Sequence, residues 1–93
     1  MTMAEHEKAE KAFFKERSLS ALGILMEHGR ELEFRFDGAD CFLSPHETKE
    51  AVSLWVNGRE QSFSSLKELF ERAEVCGKDL KTVMRKAELL TLF

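Results

Sequence analysis

The sequence predicts an α+β fold: one N-terminal helix or two, a four-stranded antiparallel meander made from two hairpins, and two C-terminal helices. Three observations carry that reading. "ELEFRF", residues 31–36, alternates strictly, with Leu32, Phe34 and Phe36 on one face and Glu31, Glu33 and Arg35 on the other, the pattern of a strand with one buried face. Asp37-Gly38 and Asn57-Gly58 each separate two runs of strand-forming residues. A type I′ turn needs positive φ at both centres and selects such dipeptides. Both ends of the chain carry apolar residues at helical spacing instead.

The first element is helical. Through residue 17 it mixes Glu, Lys, Ala and Arg, which are good helix formers, and Phe13 and Phe14 are its aromatic groups. Its first dozen residues are expected to fray. Ser18 can cap a second run, "LSALGILMEH", in which Leu19, Leu22, Leu25 and Met26 share a stripe. Gly23 weakens that run, and Gly29 suits the residue just past its end. The two runs make one bent helix or two separate ones.

Each hairpin turn fixes a register. Around Asp37-Gly38, Phe36 faces Ala39, Phe34 faces Cys41 and Leu32 faces Leu43, while Arg35 meets Asp40 and Glu33 meets Phe42 on the reverse face. "SPHETKE", residues 44–50, reads as a loop and holds the single proline. Around Asn57-Gly58, Val52 opposes Phe63 and Trp55 opposes Glu60. Ser65 and Glu68 then form a capping box ahead of Leu66, Leu69, Phe70 and Ala73. Gly77 is read as ending that helix. Asp79 caps another, with Leu80, Val83, Met84 and Ala87 as its stripe. "LLTLF" closes the chain as a frayed helix end or a short strand.

Residues 1–93 are expected to form one domain: helix at 1–17 and 18–28, sheet at 31–63 and helices at 65–88. One sheet face would receive the C-terminal helices. The other is mostly charged but carries Phe42 and Trp55, the only tryptophan. The stripe of Leu19, Leu22, Leu25 and Met26 is expected to cover that second face, from its own chain or from a second copy, giving three layers. The alternative is that Phe42 and Trp55 form a surface for a different partner.

Composition narrows the function. Hydrophobic content of 43% with 33% charged residues suits a globular domain and is too apolar for disorder. Two cysteines make no disulfide framework, and the charged start has no apolar h-region, so a cytoplasmic, reducing setting is expected. The run "ALGILM" is far too short to span a membrane. Residues 31–60 hold seven acidic and three basic groups, whereas the segments on either side are near balance. No segment has a basic stripe, so nucleic acid is not an expected partner, and neither is a membrane.

"GRELEFRFDG" and "FSSLKELFERAEVCGKDLKTV" are similar to a family of short uncharacterised bacterial proteins. Members run as Gly-Arg-Glu-Ile-Glu-Phe, a Tyr-Asn-Gly-type turn, a Phe-x-Ser-x-x-x-Leu-Leu helix, Asp-Gly-Lys and a Leu-Lys-x-x-Trp/Met segment. The likeness covers residues 29–88; here "CGKD" replaces Asp-Gly-Lys-x, and Met84 stands where an aromatic is common. The resemblance implies a shared fold and a bacterial cytosolic setting, and carries over no catalytic residue.

The residues offer no catalytic, cofactor or metal site. His6, His28 and His46 lie in separate elements without metal-ligand spacing and read as surface groups. Cys41 reads as a small buried hydrophobe, and Cys76, placed at a helix C-terminus, as an unreactive thiol. Glu31 and Glu33 share a strand face but lack apolar surroundings to make one of them a general acid. The expected function is therefore a non-catalytic protein–protein interaction module, with a homodimer among its assemblies. A small acidic inhibitor or immunity-type protein that binds a basic partner is the second reading, and an enzyme or small-ligand protein the third. The expected interaction surface comprises Phe42, Trp55, Leu19, Leu22, Leu25, Met26, Glu31 and Glu33.

Overall fold

The computed structural model describes residues 3–46 and 51–93. Residues 47–50, most of the expected loop, lie outside the described residues, while Ser44 and Pro45 end a strand. The described chain is α+β, with helices α1 (Met3–Glu16), α2 (Leu19–Glu27), α3 (Leu66–Arg72) and α4 (Leu80–Lys86). The strands are β1 (Leu32–Phe36), β2 (Ala39–Pro45), β3 (Val52–Val56), β4 (Arg59–Phe63), β5 (Glu74–Val75), β6 (Lys78–Asp79) and β7 (Glu88–Leu92).

Both hairpin registers follow their turns. Leu32 pairs with Leu43, Arg35 with Asp40, Val52 with Phe63 and Trp55 with Glu60. Asp37 and Gly38 have φ of 51° and 81°, and Asn57 and Gly58 have 49° and 82°, so both turns need the left-handed region at two successive residues. β2 and β3 also pair, which completes the four-stranded meander. The terminal segment takes the strand alternative and adds β7 antiparallel to β1, giving a five-stranded sheet in the order β4-β3-β2-β1-β7. A bulge in β7 leaves Leu90 without a partner between Leu89, opposite Phe34, and Thr91, opposite Glu33.

Three expectations are corrected. Of the two alternatives for the N-terminal segment the chain takes two helices, broken at Arg17, which has a φ of 57°. The first is not frayed along its length: Ala9 and Phe13 are buried. Arg17 also ties the break to the far end of the fold, donating to the Met84 and Ala87 carbonyls at 3.0 and 2.7 Å, where α4 ends with unsatisfied acceptors. Next, Gly77 does not end a helix. α3 stops at Arg72, and Cys76-Gly77, with φ of 54° and 78°, makes the two-residue turn of the β5–β6 hairpin. The caps themselves are present: Ser65 accepts from the Glu68 N–H at 3.1 Å, Asp79 from the Thr82 N–H at 2.8 Å, and Ser18 from the Ala21 N–H at 3.3 Å.

The third correction concerns layers. α2 does not cover the face that carries Trp55. Leu22, Leu25 and Met26 lie in one buried cluster with Phe34, Leu43, Leu54, Leu69, Val83 and Met84, so the helices share the inner sheet face. Geometry explains this. α3 and α4 have seven residues each, about 10 Å of helix apiece, against a sheet about 20 Å wide once β7 is added. The C-terminal helices cannot fill that face, and α1 with α2 occupies the remainder. Gly23 serves this packing: a Cβ there would lie 3.4 Å from the Phe70 ring of α3. The result is two layers, with no described helix on the outer sheet face.

Candidate functional site

The open face is built by strand alternation. Its side chains come from Glu31, Glu33 and Arg35 beside and along β1, Asp40, Phe42 and Ser44 of β2, Ser53 and Trp55 of β3, Glu60 of β4, and Glu88 of β7. Across the middle runs an aromatic band. Phe42 lies directly opposite Trp55 in the β2–β3 register. The Phe93 ring packs edge-on against Phe42, with centroids 5.9 Å apart. Trp55 is 37% exposed and Phe93 58%, while Phe42 between them is half-buried. Large apolar groups neighbouring one another on a sheet face and open to water are unusual enough on a small domain to mark a contact surface.

Phe93 is held in place from two sides. Its N–H donates to the Glu31 carbonyl at 2.8 Å, continuing the β1–β7 ladder, and its carbonyl accepts from Arg30 Nε. The same Arg30 guanidinium donates to Glu10 at 3.3 Å and to His6 Nε2 at 2.8 Å, so α1 anchors the end of the sheet. An arginine has no acceptor, so the facing His6 nitrogen carries a lone pair rather than a proton.

Acidic groups surround the band. Arg35 is the single cation among the side chains named above, and it is already engaged, 2.8 Å from Asp40 and 4.0 Å from Glu88. The Asp40 hydrogen bond and charge raise the already high guanidinium pKa further. Glu31 accepts from the Ser44 hydroxyl at 2.6 Å. Beside Trp55, Ser53 is the one buried polar residue among those described. Its hydroxyl donates to Glu60 at 2.5 Å and lies 2.8 Å from His46 Nε2. A hydroxyl has one proton, and here the carboxylate takes it, so His46 donates its Nε2–H to Ser53. That order is the reverse of a nucleophile activated by an imidazole, in which the serine proton points at the ring. The chain from His46 through Ser53 to Glu60 braces the end of the face and holds Glu60 at its rim.

Of the residues expected to form the surface, Phe42, Trp55, Glu31 and Glu33 share this face. Leu22, Leu25 and Met26 are core residues on the other side of the sheet, and Leu19 packs against that core. Alternation and the Asn57-Gly58 register set Ser53 and Glu60 on the face of Trp55, and sequence reasoning missed Phe93 and His46 as members. The signal for Phe93 was present: as a strand paired with Leu32, "LLTLF" sets its final aromatic opposite Glu31. No such signal marked the burial of Ser53.

Elsewhere, a shallow open groove on α1 is lined by Glu7, Glu10, Lys11 and Phe14, one helix without a facing wall. Among the described residues no group of three or more His, Cys, Asp and Glu side chains could hold a metal ion, and no helix is long and apolar enough to cross a membrane. Cys41 is buried beneath the sheet, and desolvation, with smaller contributions from Cys76 and Asp40, pushes its thiol up to about 11. No family model, no curated protein and no solved structure matches the chain.

Proposed function

We propose that this chain is a protein–protein interaction module that binds its partner on the open sheet face, with Trp55, Phe42 and Phe93 as the apolar centre. The observation that supports this most is the aromatic band itself, left uncovered although four helices pack on the other side of the sheet. A partly desolvated tryptophan beside two phenylalanines, with polar groups around them, has the composition of an interface hot spot and its rim. Phe42 and Trp55 are set on strands and Phe93 is tied to the Glu31 carbonyl, so the band is ordered before the partner arrives and little ordering entropy opposes binding. The unpaired thiols of Cys41 and Cys76 fit a reducing, cytoplasmic setting, and the resemblance to short bacterial proteins points the same way.

The test is affinity purification from the native cells with wild type and with a Trp55→Ser/Phe93→Ser variant. Neither side chain belongs to the buried core, so the variant should stay folded, which circular dichroism checks. A protein retained by wild type and lost from the variant supports the reading. The same proteins retained by both contradict it.

A further inference from the structure

Resting on that reading, we infer that the partner's contact surface is cationic: a protein segment that sets Lys or Arg side chains around an apolar anchor. The open face presents the carboxylates of Glu31, Glu33, Asp40, Glu60 and Glu88 against the one guanidinium of Arg35. Two of the five, Asp40 and Glu88, are the ones paired with Arg35. Among the described residues Glu31, Glu33 and Glu60 form no salt bridge, and two of them are fixed by serine hydroxyls rather than by cations.

These three lie close to the aromatic band. Glu60 pairs across from Trp55, Glu33 across from Phe42, and Glu31 offers its carbonyl to Phe93. A partner whose apolar group covers the band therefore desolvates their surroundings, and only a cation at the matching position offsets that cost. The same arithmetic disfavours the other occupants. A second copy placed face to face would oppose two surfaces of the same negative excess, and nucleic-acid phosphates or anionic headgroups would be repelled. Blocking a basic surface on another protein is then the work such a face is suited to.

Trp55 is the only tryptophan, so its emission reports on this face directly. The probes are tryptophan-free amphipathic peptides about five helical turns long, built from Leu with Lys, Leu with Glu, or Leu with Gln. They are titrated against the full chain while Trp55 emission and acrylamide quenching are read. The Leu/Lys peptide should shift the emission to shorter wavelength and protect Trp55, and its binding should weaken as salt rises from about 0.05 to about 0.5 M. Glu31→Lys/Glu33→Lys should weaken it by about tenfold or more. Glu71→Lys/Glu74→Lys changes the net charge equally through exposed residues of α3 and β5 and should leave it within about twofold.

Equal binding of the three peptides, or equal loss in both double variants, would overturn the cationic assignment while leaving the face a docking surface. A concentration-dependent dimer with Trp55 covered would assign the face to a second copy and overturn it as well. No Trp55 response to the Leu/Lys peptide also overturns it, and the purification from native cells then decides separately whether the face binds protein.

Discussion

The two thiols of this chain differ by place rather than by chemistry. Cys41 points into the core from β2 and donates weakly to the Ala39 carbonyl at 3.6 Å, while Cys76 sits exposed at the tip of the β5–β6 turn. At pH 8 a thiol reagent should label Cys76 in the folded protein and reach Cys41 only on unfolding; simultaneous labelling of both would contradict the placement. The raised Cys41 pKa also has a sign. The unfolded chain loses this proton near the ordinary value of 9.0 while the folded chain keeps it to about 11, so the stability present below pH 9.0 is lost as pH rises through about 11. At Gly58 the constraint is backbone alone: φ is 82° and a Cβ would meet nothing within 4 Å. Gly58→Val should therefore cost about 1–2 kcal/mol through strain, read as a lower denaturation midpoint. An unchanged midpoint would mean that the turn relaxes freely.

Capping and pairing were legible at the scale of the element, because both depend on a few neighbouring residues. Asp37-Gly38 and Asn57-Gly58 gave correct registers since a two-residue turn leaves no freedom in the pairing. Cys76-Gly77 makes the same kind of turn but was hidden: cysteine is an uncommon residue at positive φ, and the flanking strands have two residues each. "LLTLF" could not be decided locally, because five apolar-rich residues suit a helix end or an edge strand until β1 offers a free edge. The Asp79 cap adds a pH dependence. Hydrogen bonds from the Thr82 side chain and backbone hold the carboxylate below its usual range, so the stability it gives is present above the ordinary value of 3.8 and is lost as pH falls through the lowered value. Asp79→Asn keeps an acceptor at the cap without that titration. The melting-temperature difference between wild type and the variant should shrink on acidification from neutral pH to below 3.8; a difference constant with pH would contradict the assignment.

The layer order of the whole molecule was not legible. A stripe such as Leu22, Leu25 and Met26 says that a helix face is buried but not which sheet face receives it. That choice depended on how much of the inner face two seven-residue helices leave vacant and on β7 widening the sheet. The site was half legible for the same reason: alternation put Phe42, Trp55, Glu31 and Glu33 together, whereas only the assembled sheet brought in Phe93. Integration of α1 follows from Phe13, which is fully buried, next to Phe14, which is 43% exposed. Phe13→Ala should cost about 3–5 kcal/mol in chemical denaturation, and Phe14→Ala within about 0.5 kcal/mol of nothing. Equal small losses would return α1 to a frayed appendage.

Everything proposed for function depends on the outer sheet face being uncovered by the chain's own helices, and Trp55 reports on that alone. The most direct measurement is the emission maximum and acrylamide quenching of Trp55 in the purified full chain over a range of concentrations, with solution mass recorded alongside. An open face predicts long-wavelength emission, efficient quenching and no change of either on dilution. Short-wavelength, poorly quenched emission from a monomer would place Trp55 beneath the chain's own residues and remove the docking surface.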